Sequence, residues 1–348
     1  MKMRLLGSTK SVCGKLALAA LAAVLPLSAQ TSLTGAGATF PAPIYQKWFA
    51  DYQSIGNVQI NYQPNGSGGG IKAVTDGTAD FGASDMPMTD EQIKAYKDKN
   101  GGKNILLFPT VMGAVVPVYN VTGVTGELNF TREALAGIFL GKITMWDDPA
   151  LVKANPGVKL PSEKIVVAHR SDGSGTSFCF TDFLSKVSPE WNTKVGKNTS
   201  VEWPTGLGAK GNDGVAGLIK GQKGSIGYVE LIYAVKNKIP YGKVQNKAGV
   251  FVKAELESVS AAAASSKEMP ADFRVSITDA PGKAAYPIST FTWLLVPASI
   301  SDPAKEKALV GFLKWAITTG QDSVESLDYA KLPKQVAAKE LKQIAMIK

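Results

Sequence analysis

The sequence predicts an α/β protein built from two domains. Short apolar stretches of strand character alternate along the chain with amphipathic helical stripes, which is the pattern of α/β domains. A length of 348 residues is more than a single core ordinarily organises, so two domains are expected. The composition is that of a folded globular protein, 45% hydrophobic and 19% charged, without a block of like charges.

The elements follow in order. Ile44, Tyr45, Trp48, Phe49 and Tyr52 fall on one helical face. Val58, Ile60 and Tyr62 alternate as in a half-buried strand. Thr89 with Gln92 forms a capping box opening a polar helix. Ile105 to Phe108, Ala114 to Val118, Ile165 to Ala168 and Trp293 to Val296 read as four further strands. Phe183, Leu184 and Val187 mark a second helical stripe, and Leu309, Phe312, Leu313 and Ala316 a third, bracketed by Pro303 and Gly320. Residues 243–283 are weakly organised, with an exposed helix expected at Ala261 to Ser266.

The N-terminus has a separate logic. Lys2, Arg4, Lys10 and Lys15 precede an apolar run from Leu16 to Leu27, followed by Ser28 and Ala29. This is the plan of a secretory signal peptide over residues 1–29, with cleavage expected after Ala29, and the run is shorter than the ~20 residues that span a bilayer. Removing it takes away Cys13 and leaves Cys179 as the only thiol, flanked by Phe178 and Phe180 and expected to be a buried packing residue. It also lowers the net charge from +9 to about +5, spread through the chain. Nucleic-acid binding would need clustered cations with interleaved aromatics, which are missing here.

Three segments run from Gly, Ser and Thr directly into an apolar helix: Gly35 to Pro41, Asn65 to Gly70, and Arg170 to Ser177. The first N–H groups of a helix lack intrahelical partners, so such a loop is suited to an oxyanion. Each segment taken singly reads as a helix cap, but three together carry more glycine than caps need, as close backbone approach to a ligand would require. Arg170 adds a planar fork suited to a tetrahedral oxyanion. Asp172 either steadies that fork or caps the next helix. Asp85 is either a loop carboxylate in solvent or an acceptor for the proton of a bound anion. Hydrogen phosphate carries such a proton and sulfate does not.

Other motifs are weaker. Gly206 to Gly211 satisfies a dinucleotide pattern but follows a Pro-containing loop, and reads as a structural loop capped by Asn212 and Asp213. There is no P-loop and no nucleophile elbow at Ser67 or Ser174. A single histidine, His169, excludes a multi-histidine metal site and is expected to have a local structural role, with general base as the alternative. Neither metal nor cofactor is expected.

Leu33 to Pro43, Asp80 to Asp85, Leu140 to Ile143 with Trp146 to Asp148, Asp172 to Ser177 and Gly206 to Gly214 closely resemble, in order and spacing, the periplasmic phosphate-binding proteins of bacterial ABC phosphate importers, the PstS family. The likeness covers nearly all of the chain after the leader. It implies a two-lobed type II periplasmic binding protein fold, with a first lobe of residues 30–109 plus 288–348 and a second of 110–287, joined by crossings near Pro109 to Val111 and Tyr286 to Thr290. It implies phosphate ligands Thr39, Phe40 through its amide, Ser67 and Asp85 from the first lobe, and Arg170, Ser174, Gly175 and Thr176 from the second, with Asp172 holding Arg170. The implied partners are the membrane permease and ATPase subunits of the transporter, the implied location the periplasm, and the implied state a monomer. Two departures are visible: Gly68 stands where relatives often carry a second serine, and His169 where a second arginine is common. The competing functional readings are an exported phosphatase using Ser174 or Ser67, and a surface protein with no small ligand.

Overall fold

In a computed structural model, residues 30–348 are described; the expected leader, residues 1–29, lies outside the described residues. The strands are β1 (Thr31–Gly37), β2 (Val58–Gln63), β3 (Phe81–Ser84), β4 (Ile105–Asn120), β5 (Asn129–Phe130), β6 (Val166–Arg170), β7 (Leu207–Ala209), β8 (Ser225–Glu230), β9 (Lys243–Gln245), β10 (Phe251–Val252) and β11 (Ser289–Pro297). The helices are α1 (Ala42–Gly56), α2 (Ser67–Thr75), α3 (Asp90–Lys99), α4 (Arg132–Phe139), α5 (Pro149–Ala154), α6 (Gly175–Val187), α7 (Pro189–Lys194), α8 (Gly211–Gly221), α9 (Leu231–Asn237), α10 (Leu256–Ala264), α11 (Pro303–Ala316) and α12 (Lys334–Ile344).

Eight strands form one sheet in the order β2-β1-β3-β11-β4-β8-β6-β7, and β10-β9-β5 form a small second one. The two flanks of the large sheet are parallel, β1 with β2 and β3, and β6 with β7 and β8. Its centre is antiparallel, because β11 and β4 run against each other and against their outer neighbours. Helices follow the parallel strands, as parallel pairing requires a crossover.

Strand β4 joins the two flanks. Of its first ten residues all but Thr110 pair with β11, and its last six, from Val115, pair with β8. The sequence predicts Ile105 to Phe108 and Ala114 to Val118 as separate strands; the structure makes them one strand that runs through Pro109. Pro109 is accommodated because the register with β11 shifts there, leaving Thr110 as an extra residue. Thr110 is buried, donates to the Thr292 carbonyl (3.2 Å) and shares a hydrogen bond with Tyr45 (2.7 Å). Because both faces of β4 are covered, nearly every residue is buried and no alternation shows.

The helical stripes of α1 and α11 pack on each other, with Phe49 5.3 Å from Phe312 and Tyr52 5.5 Å from Trp315 between ring centres. The helix α11 stops at Ala316, short of Gly320, which lies in a following 3-10 turn (Thr319–Leu327); the Gly320 carbonyl accepts from the Trp48 indole (2.9 Å). The capping box at Thr89 and Gln92 is formed, and the helix expected near Ala261 is α10. No described helix is long and apolar enough to cross a membrane.

Candidate anion site

Four helix starts converge at the centre of the large sheet, those of α1, α2, α6 and α8. The start of α2 lies against the segment before α6, where the Gly68 N–H donates to the Gly173 carbonyl (2.9 Å). Ser67, first residue of α2, is buried and accepts at Oγ from the N–H groups of Gly175 (3.0 Å) and Asp85 (3.2 Å). With those two N–H groups on its oxygen, the Ser67 hydroxyl proton is free to be donated elsewhere. Ser174 caps α6, accepting from the Ser177 N–H (3.0 Å), so capping and ligand contact are compatible in one side chain. Gly175 has no room for a side chain: a Cβ would meet Ser67 Oγ and lie 2.7 Å from both Cβ and N of Asp85.

The expectation that the surplus glycines serve a ligand needs correction. Gly37, at φ 142, is held where a Cβ would collide with the Ala83 backbone, and a Cβ on Gly70 would sit 2.6 Å from the Ala83 carbonyl. These glycines let β1, β3 and α2 approach one another. The sequence cannot distinguish protein backbone from ligand as the neighbour that excludes a side chain.

Arg170 ends β6 and is 3% exposed. Its Nε and Nη2 donate to the two oxygens of Asp172 (2.7 and 2.5 Å), and Asp172 also accepts from the Gly211 N–H (3.0 Å). Burial works to raise the Asp172 pKa, but the Arg170 fork and the Gly211 amide outweigh it and hold the carboxyl below its ordinary value. Asp172 thus fixes the fork as anticipated. Arg170 Nη1 is buried and has no hydrogen-bond partner within the protein. A buried guanidinium N–H without an acceptor is costly, and an anion relieves it.

Asp85 follows β3 and is 1% exposed. Its Oδ1 accepts from the Thr292 hydroxyl (2.8 Å), and its carbonyl accepts from the Cys179 thiol (3.6 Å). Burial pushes its pKa up to about 7, against the opposing pull of Thr292 and Arg170. Thr39 and Thr176 are buried and both accept from the Asn212 carboxamide (2.9 and 3.2 Å). The Thr39 carbonyl accepts from the Tyr233 hydroxyl (2.6 Å), and the Phe40 carbonyl from the Tyr329 hydroxyl (2.6 Å). These bonds form three clusters, Ser67 with Asp85 and Gly175, Arg170 with Asp172 and Gly211, and Thr39 with Thr176 and Asn212, which the chain joins at Ser174–Gly175–Thr176 and at Gly211–Asn212; Phe40 follows Thr39.

Asn212 was missed. It does not cap a loop: Leu207–Ala209 is the edge strand β7, the cap position of α8 is Lys210, and Asn212 is fully buried among the threonines. Its position after a Gly-rich loop opening a helix was the available signal. Glu230 was also missed; its carboxyl caps α9 through the Ile232 N–H (3.1 Å), and burial drives its pKa well above the ordinary value. His169 has the structural role expected: its ring stacks on Trp203 (4.9 Å between centres), Nδ1–H donates to the Arg170 carbonyl (3.1 Å), and burial lowers its pKa. Cys179 is buried as expected. Among the described residues no group of acidic, Cys and His side chains has the form of a metal site.

The chain matches the PBP superfamily domain over residues 26–319 and belongs to that superfamily of binding proteins. It is 46% identical over 303 residues to the phosphate-binding protein PstS of Xylella fastidiosa strain Temecula1, covering 86% of this chain and 81% of that one. It is 44% identical over 317 residues to PstS of Pasteurella multocida strain Pm70, covering 90% of each. The chain is therefore a member of the PstS family of phosphate-binding proteins. Its fold is that of a high-affinity periplasmic phosphate-binding protein (PfluDING) solved with phosphate (TM-score 0.72, 20% identity, 89% and 93% covered). The same fold occurs in the phosphate-binding protein from Stenotrophomonas maltophilia (TM-score 0.69, 20% identity, 90% and 93% covered).

Proposed function

We propose that this chain captures inorganic phosphate, as hydrogen phosphate, at the meeting of the four helix starts, and delivers it outside the cytoplasm to the permease and ATPase subunits of an ABC phosphate importer. The observation that carries this reading is the pairing of a buried guanidinium N–H that lacks an acceptor with a buried carboxyl near enough to feel the guanidinium charge. Arg170 Nη1, the hydroxyls of Thr39, Ser67, Ser174 and Thr176, and the amide of Phe40 supply donors to the anion, while the expected Gly175 amide is spent on Ser67 Oγ and holds that hydroxyl in place. Asp85, ionised above about pH 7, supplies the one acceptor and so requires a ligand that carries a proton. The role is binding without chemistry, in keeping with the family; His169 is committed to Trp203 and the Arg170 carbonyl, away from a role as base for Ser174.

In this reading, residues 30–109 with 288–348 form one lobe and 110–287 the other, with crossings in β4 and at the start of β11. Opening would break the Gly68–Gly173, Thr39–Tyr233 and Thr39–Asn212 contacts, and bound phosphate would favour the closed form that the permease recognises. The leader would direct export to the periplasm.

Calorimetric titration with phosphate in excess sulfate tests the proposal. One phosphate per chain is expected, with no turnover of a chromogenic phosphate ester. Equal affinity for the two anions, or ester hydrolysis abolished by Ser174→Ala, would refute it.

A further inference from the structure

Asn212 is the second residue of α8, directly after Gly211, whose φ of 73 turns the chain into the helix. It is fully buried, so each of its polar atoms must be satisfied within the protein. The Glu230 backbone N–H lies 3.1 Å from Oδ1. An N–H can only donate, so this contact settles which end of the carboxamide is oxygen. Nδ2 is then turned to Thr39 Oγ1 (2.9 Å) and Thr176 Oγ1 (3.2 Å), one proton for each. The Asn212 N–H also faces Thr39 Oγ1, at 3.4 Å.

A threonine hydroxyl carries one proton and two lone pairs, and it rotates to suit its neighbours. Where the neighbour is an obligate donor, the hydroxyl oxygen must accept, and its own proton points elsewhere. We propose that Asn212 is a positioning residue that, by donating to both Thr39 and Thr176, aims their two hydroxyl protons at the bound anion. Thr39 precedes α1 and Thr176 lies in α6, so one carboxamide sets two donors brought from distant parts of the chain. The inference rests on the phosphate reading given above. An aspartate at 212 would have nearly the same shape and the opposite effect, since its oxygens would draw both hydroxyl protons away from the anion.

The test is a set of double-variant cycles read by calorimetric titration with inorganic phosphate, using the full exported chain. Asn212→Ala is expected to weaken phosphate binding about tenfold in the unaltered background, and less than about twofold once Thr39→Val and Thr176→Val are present. Asn212→Asp is expected to weaken binding at least as much as Asn212→Ala, and it keeps the inference testable if the alanine variant does not fold. Losses that are the same in both backgrounds would mean that Asn212 acts through the fold and not through the hydroxyls, and would overturn the inference. So would an Asn212→Asp protein that binds like the unaltered one. If the unaltered chain fails to bind phosphate, the underlying functional reading falls and this inference with it; phosphate binding with additive losses removes the inference alone.

Discussion

On the proposed reading, Asp85 makes anion choice depend on pH, and the size of the effect follows from its surroundings. Sulfate has no proton to offer, so it can share the site only when Asp85 holds the proton itself. Because burial raises the Asp85 pKa to about 7, nearly all of the carboxyl is protonated at pH 5. At pH 8.5 about one molecule in thirty remains protonated, so sulfate affinity is expected to fall about 30-fold between the two, or about 2 kcal/mol. Phosphate keeps a proton across this range and binds throughout. In Asp85→Asn the amide donates at every pH, and the sulfate curve becomes flat. The same shift has a stability consequence of definite sign. A carboxyl raised above its unfolded value favours the fold at low pH, and that contribution is lost as pH rises from about 4 to 7, amounting to about 4 kcal/mol. The phosphate-free Asn variant is therefore expected to exceed the parent in stability at pH 8. Calorimetric sulfate titrations and urea unfolding at pH 5 and 8.5 measure both effects. Equal sulfate affinity at the two pH values in the unaltered protein, or an unchanged slope in Asp85→Asn, would refute the reasoning.

Arg170→Lys is expected to cost at least about 100-fold in phosphate affinity, because one ammonium cannot hold both oxygens of Asp172 and still reach the anion; an unchanged titration would remove Arg170 from the site. Gly175→Ala should destabilise the fold by about 1–3 kcal/mol and weaken phosphate binding, since the methyl displaces Ser67 and Asp85; parent-like unfolding and binding would contradict the packing described. Burial works to raise the Asp182 pKa, but Lys186, Lys197, Ser276 and Thr278 outweigh it and hold it at about 2. That contribution is present above about pH 4 and lost as pH falls toward 2, so Asp182→Asn should cost about 2 kcal/mol at pH 7 and flatten the acid limb of the unfolding profile; identical limbs would exclude it.

The candidate anion donors were legible because helix starts announce themselves. Gly66-Ser67 and Gly173-Ser174-Gly175 precede apolar periodicity, where a hydroxyl marks the first turn of a helix and its unpaired N–H groups. Asn212 was hidden for the converse reason. Asparagine after glycine has many local uses in loops, and only the approach of Thr39, 173 residues earlier, gives it a different one. Thr292, which donates to Asp85, was hidden too, because a buried strand threonine has no sequence mark that separates it from its neighbours.

Local chemistry was settled along the chain: helical and strand periods, caps, a lone thiol between two aromatics, and an arginine two residues from its aspartate. Each depends on neighbours within a few residues, where geometry is set by the backbone itself. What only the folded arrangement decided was the meeting of four helix starts, the unbroken run of β4 past Pro109, and the protonation of Asp85. These depend on which distant groups exclude water from one another, and desolvation is a property of the packed interior that no short stretch of sequence carries.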